Sequence, residues 1–87
     1  MKARKRPNIV DAFRYGIDTV PDWFQDMLKL NTAYIISDDL AMIRTEVNHE
    51  AFWGDVLRGY VVVKDVDGAV YSYEPSVFGL MFEVLER

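Results

Sequence analysis

The run Tyr60-Val61-Val62-Val63-Lys64-Asp65-Val66, followed by Asp67-Gly68 and then Ala69-Val70-Tyr71-Ser72-Tyr73-Glu74, constrains the fold more than any other stretch of this sequence. β-branched and aromatic residues on both sides of an Asp-Gly pair predict a hairpin with a two-residue turn, because that pair supplies the positive φ angles such a turn needs. In this register Val66 faces Ala69, Lys64 faces Tyr71 and Val62 faces Tyr73 on one side, while Val61, Val63, Val70 and Ser72 share the other. Both sides are partly apolar. Such a hairpin has to be covered twice, or it offers one face to a partner.

The rest of the chain supplies candidate covering layers. Ile9 to Tyr15 mixes β-branched and aromatic residues with Asp11 and Arg14 and predicts a first strand, ended by a turn at Gly16-Ile17-Asp18. Thr19, with Pro21 and Asp22 behind it, has the makings of a helix start: its hydroxyl can accept from an orphan amide, and the carboxylate suits the positive end of the dipole. Over Pro21 to Leu30 the side chains of Trp23, Phe24, Met27 and Leu28 then fall on one helical face, expected to be buried, and Asn31 closes the helix. Ala33 to Ser37 and Met42 to Val47 read as two more strands, separated by a turn at Asp38-Asp39. Asn48 to Arg58 fits two readings, a short helix or a lid over the sheet anchored by Phe52 and Trp53. After Pro75 the pattern predicts one helical turn and a final strand from about Met81, although helical spacing also fits Val77, Phe78, Met81, Phe82 and Leu85.

The expected architecture is therefore α+β: a small, curled, antiparallel sheet of about five strands packed with one main helix, in the order strand, helix, strands. At 87 residues there is room for a single core. The chain has no cysteine, which excludes disulfide staples, thiolate metal sites and cysteine nucleophiles. No apolar run approaches the roughly 20 residues of a membrane-spanning helix, and the basic start runs into Pro7 without the apolar centre of a signal peptide. These features predict a cytoplasmic protein with no membrane contact.

Charge is distributed unevenly. Lys2, Arg4, Lys5 and Arg6 carry four of the ten positive charges, and all fourteen carboxylates lie from Asp11 onward. Residues 7–87 thus hold six positive and fourteen negative charges, a net of −8. The expected organisation is a flexible basic arm over residues 1–6 and one α+β domain over residues 7–87. The arm could meet an acidic partner, but the acidic body disfavours direct contact with nucleic acid.

Two blocks carry a resemblance to a known family. Val10-Asp11-Ala12-Phe13-Arg14-Tyr15, leading to Val20-Pro21-Asp22-Trp23-Phe24, and Gly59 to Pro75 together with Phe78, resemble a small, mostly uncharacterised family of phage and prophage proteins with a Pro-Gly-Asp-Tyr-Gly signature. At the signature itself, Arg58 and Tyr60 stand where that family has Pro and Asp. The resemblance implies an origin in a bacteriophage or prophage, hence a bacterial host cell, and a small α+β domain. It implies no activity.

Catalytic constellations are sparse. His49-Glu50 lacks the second histidine of a zinc-peptidase helix, since Trp53 stands at that position. Asp65-Val66-Asp67-Gly68 matches only a fragment of a calcium loop, and Gly54, Gly59 and Gly68 form no phosphate cradle. The leading expectation is a non-catalytic accessory protein with no cofactor and no metal. It would bind a host or phage protein as a monomer or homodimer, using Phe52, Trp53, Tyr60, Tyr71 and Tyr73, because interface centres favour aromatic side chains. The alternative is a nucleic-acid-related role, through the basic arm or through mimicry of nucleic acid by the acidic body, as in an inhibitor of a host nucleic-acid-binding protein. A small hydrolase using His49 and carboxylates is the third reading.

Overall fold

Val61, Val62 and Val63 are all buried, at 3%, 0% and 2% exposure, although consecutive strand residues point to opposite faces. The computed structural model, which describes residues 1–5 and 8–86, shows how both faces are covered. Its elements are β1 (Lys2–Lys5), β2 (Asn8–Arg14), α1 (Asp22–Lys29), β3 (Ala33–Ser37), β4 (Leu40–Val47), β5 (Glu50–Leu57), β6 (Val61–Lys64), β7 (Val70–Tyr73), α2 (Pro75–Met81) and β8 (Glu83–Glu86). The fold is sheet-rich and its strand pairs are antiparallel. The single sheet expected from the sequence is instead two: a five-stranded sheet in the order β7-β6-β2-β1-β8, and a three-stranded sheet β3-β4-β5. Both helices are short: beside α1, the helical turn expected after Pro75 extends to Met81 as α2, and the expected final strand follows as β8. No helix among the described residues is long and apolar enough to cross a membrane.

The inner core lies between the sheets. Phe13, Val62 and Val70 from the larger sheet meet Ala33, Ala41, Ile43 and Val56 from the smaller one, with Phe24 of α1 inserted beside them. Phe13, Trp23 and Phe24 contact one another edge to face at centroid distances of 5.0 to 6.2 Å. The outer core occupies the opposite face of the larger sheet, where Ala3, Val10, Ala12, Val61 and Val63 lie under Phe78 and Phe82 from α2 and the residue after it.

Helix α1 forms nearly as the sequence predicts, with Phe24 fully buried and Trp23, Met27 and Leu28 partly buried against the inner core. Its start differs: Pro21 is the N-cap, no side chain caps it, and Thr19 plays no such part. At its end Asn31 adopts φ 60°. Asn31 N–H then donates to Leu28 O and Thr32 N–H to Met27 O, the paired bonds of a left-handed helix stop.

The β6–β7 hairpin exists, but its register is one residue away from the expected one. Gly68 N–H donates to Asp65 O and Asp65 N–H to Ala69 O, and Gly68 has φ 91°. The loop is thus Val66-Asp67-Gly68, a turn followed by a glycine bulge, rather than Asp67-Gly68 alone. Val63 consequently faces Tyr71 and Val61 faces Tyr73, while Val62 faces Ser72. One extra loop residue moves every β7 side chain to the other face.

Asn48 to Arg58, for which the sequence fits a short helix or a lid, is mostly strand. β5 pairs with β4 along its whole length, from Val47↔Glu50 to Leu40↔Leu57. The connection is a two-residue turn in which Asn48 and His49 both have positive φ, 52° and 67°, a conformation that Asn and His tolerate better than most residues.

The expected flexible arm also changes character where the structure describes it. Lys2–Lys5 form β1, paired with β2 on one side and β8 on the other. Ala3 is fully buried in the outer core, and Lys2 forms an ion pair with Asp11 across the β1–β2 register. A single buried alanine suffices to seat it, because Ala3 needs only a small site and Lys2 stays half-exposed. Arg6 lies outside the described residues.

Ala3→Asp is expected to lose about 3 kcal/mol of stability or more, because it buries a charge without a partner. Urea unfolding monitored by fluorescence checks this, and an unchanged midpoint would restore the view of a free arm. A second expectation concerns the turn after β2, where Asp18 accepts from Arg14 N–H at 3.0 Å, from Nε at 3.1 Å and from Nη2 at 2.8 Å. The hydrogen-bonded guanidinium holds the Asp18 carboxyl below its ordinary value of 3.8. Since the folded pKa is the lower one, this contribution is full above the unfolded value and is lost as pH falls through the folded value. Asp18→Asn should therefore lower the unfolding midpoint at neutral pH, and the difference from wild type should shrink as pH falls through the folded value.

Candidate functional site

Alternation along β3, β4 and β5 divides the smaller sheet into two faces of different fate. Ala33, Ala41, Ile43 and Val56 point into the inner core and are at most 1% exposed. The opposite face, referred to below as the outer face, carries the cross-strand rows Tyr34↔Met42↔Asp55, Arg44↔Trp53 and Leu40↔Leu57. Neither helix lies over it among the contacts of the described residues: α1 packs beside β3 and α2 covers the larger sheet. Tyr34, Trp53 and Leu57 are 46%, 45% and 46% exposed, large values for aromatic and aliphatic groups on regular strands.

Tyr34 and Trp53 sit on strands separated by β4, yet their ring centroids are only 5.3 Å apart, with planes inclined at 31°. Strands two apart are separated by roughly 9.5 Å, so both rings lean inward over β4. They form an aromatic bridge across β4, on the face that also carries the half-buried Met42. Ile36, at the bulge between Ile35 and Ser37, adds an apolar side chain at 59% exposure. Arg44 beside Trp53 is paired with Glu46 at 3.3 Å. Asp38 and Asp39 occupy the β3–β4 turn at the Leu40–Leu57 end of the face, and Asp55 borders Met42. No ion pair involves these three carboxylates among the described residues. Together with burial, the charges of Asp38 and Asp39 raise the pKa of the Tyr15 phenol above its ordinary value.

The aromatic residues singled out from the sequence do not form one site. Trp53 belongs to the outer face. Phe52, the next residue, pairs with Thr45 on the other side of the strand, where it is 53% exposed beyond the end of the inner core. Tyr60 packs against the inner core, its hydroxyl 3.4 Å from Glu74 Oε1. Tyr71 and Tyr73 lie with Val63 and Val61 on the α2 side of the larger sheet, and Tyr73 meets Phe82 edge to face at 5.3 Å. Lys2 is ion-paired within the sheet. His49 stands exposed at the tip of the β4–β5 turn.

An open cleft of about 390 Å³ runs between α1, β4 and the β6–β7 turn, lined by Met27, Thr32, Arg44, Glu46 and Asp67 among others. Among the described residues its ion pair joins Arg44 to Glu46, and the Thr32 hydroxyl is occupied in donating to Met27 O at 3.2 Å. Among the described residues no group of three or more His, Asp or Glu side chains is arranged to hold a metal ion. A second apolar surface lies on α2, where Leu80 is 88% exposed between Val77 and Met81.

Comparison with known proteins gives no match, whether to a family model, to a curated protein or to a solved structure.

Sequence reasoning singled out Trp53 and missed its neighbours Tyr34, Met42 and Leu57. The available signal was that Tyr34-Ile35-Ile36 is apolar at every position, so whichever face turns inward, the other stays apolar. Trp53→Ser is expected to leave the fold intact, lowering stability by about 1 kcal/mol, as for a half-exposed residue. Val56→Ser, three residues away on the same strand, should lose about 3 kcal/mol. Thermal unfolding of the two variants side by side checks the assignment of faces; a larger loss for Trp53→Ser would reverse it.

Proposed function

We propose that this chain is a small, non-catalytic binding protein that acts through contact with another protein, and that the outer face of the three-stranded sheet is the contact surface. The observation that carries this reading is the Tyr34–Trp53 bridge: two large aromatic rings held over a regular sheet, half-exposed, without a covering layer among the described residues. Rigid aromatic side chains at the centre of an apolar patch, ringed by charged residues, are the composition that interface centres favour. A regular sheet also fixes these side chains before binding, which reduces the ordering that association requires. The resemblance of the two sequence blocks to phage and prophage proteins supports a partner from a bacterial host or from the phage itself. Mimicry of nucleic acid is the weaker reading, because the apolar rings occupy the middle of the face and the carboxylates only its margin.

Wild type, Tyr34→Ser, Trp53→Ser and Leu80→Ser proteins can each be immobilised and exposed to bacterial lysate, with mass-spectrometric identification of what is retained. The expected outcome is a defined protein held by wild type and by Leu80→Ser, and lost by about 2 kcal/mol in affinity or more from the Tyr34 and Trp53 variants. A partner that all four retain, or that only Leu80→Ser loses, would place the contact elsewhere.

A further inference from the structure

We propose that the occupant of the outer face is a cationic amphipathic helix belonging to a partner protein. This rests on the reading of that face as the contact surface and adds the chemistry of what it takes. The first argument is layering. An apolar sheet face is stabilised by a second sheet or by a helix, and this fold uses both: the smaller sheet covers one side of the larger, and α2 covers the other. The outer face is an apolar sheet surface that neither of these layers covers among the described residues. From Trp53 to Leu57 it extends for about 13 Å along the strands, and across three strands for about 10 Å. That footprint matches two to three turns of helix lying on the sheet.

The second argument is charge. Arg44 on this face is already offset by Glu46, while Asp55 at one border and Asp38 and Asp39 at the end have no ion-pair partner among the described residues. The margin is therefore net negative. A second copy of this chain would bring the same carboxylates towards each other across a two-fold axis, as would any isologous face-to-face contact. Anionic lipid and nucleic acid meet the same repulsion. A helix with an apolar stripe and flanking Lys or Arg satisfies the rings and the carboxylates together.

A designed peptide of about 18 residues tests this, with Leu at helical i, i+3, i+4 spacing and Lys elsewhere, alongside an isomer in which Glu replaces every Lys. Calorimetric titration of the full chain is expected to show the Lys peptide binding at least about tenfold more tightly than the Glu peptide, and less tightly as salt is raised. Binding should fall at least about tenfold in Trp53→Ser and in Asp55→Lys; the Asp55 side chain is exposed, so that variant keeps the test valid if Trp53→Ser fails to fold. The proposal is overturned if both peptides bind equally, if the Lys peptide does not bind, or if neither substitution weakens it, which would mark a general attraction to an acidic chain. A dimer seen by sedimentation and dissolved by Trp53→Ser would overturn it in favour of a second copy. Loss of a lysate partner from Trp53→Ser, with no peptide binding, would leave the contact surface standing and remove the cationic helix alone.

Discussion

Three consecutive buried valines set the terms for the rest of the molecule. Because Val62 points one way and Val61 and Val63 the other, no sheet with a solvated face can accommodate β6, and each side chain is worth roughly 1.5 to 3 kcal/mol only if its own side is covered. The two cores are the direct result. Val62 draws in the three-stranded sheet and Phe24, while Val61 and Val63 draw in Phe78 and Phe82. β1 then extends the larger sheet, with Ala3 continuing the outer core.

The placement of the smaller sheet depends on a junction at Tyr15. This residue follows β2 and is 3% exposed. Its N–H donates to Tyr60 O at 2.9 Å, and its carbonyl accepts from Gly59 N–H at 2.8 Å, which ties it to the start of β6. Its hydroxyl donates to Ser37 O at 2.7 Å, at the end of β3. One side chain thus links the larger sheet to the smaller. The next residue, Gly16, has φ 76°, and a Cβ there would approach Arg58 Cγ to 2.9 Å and Asp38 O to 3.0 Å, so glycine is what lets the two turns meet.

Local periodicity was legible where one pattern dominated. Asn8–Arg14, Asp22–Lys29 and Ala33–Ser37 fall close to the expected boundaries, and Asn31 closes α1 as its left-handed tolerance suggested. The β6–β7 register was not legible, because Asp67-Gly68 serves equally as a two-residue turn or as the end of a three-residue loop, and one bond from Asp65 decides between them. β5 was obscured by its own composition: Phe52 and Trp53 are adjacent, so they lie on opposite faces and show no alternation. β1 was hidden because its pairing with β2 and β8 is non-local on one side, and its single apolar side chain is an alanine. The outer face, finally, is a property of strand pairing. Tyr34 and Trp53 are nineteen positions apart in sequence and meet only across β4.

Chain order explains how such a face can coexist with a stable core. Strands β2 and β6 are neighbours in the larger sheet, and everything from α1 through β5 is inserted between them in sequence. The insertion contributes its inner side chains to the shared core and keeps the other side of its strands for itself. Ala41, Ile43 and Val56 are therefore bound to the packing of the whole fold, whereas Tyr34 and Trp53 meet each other on the opposite face. The edge strand β3 carries a feature that discourages unguided pairing, a bulge between Ile35 and Ser37. With pairing along β3 discouraged and an acidic margin opposing face-to-face pairing of copies, the aromatic bridge stays accessible to a partner of complementary charge.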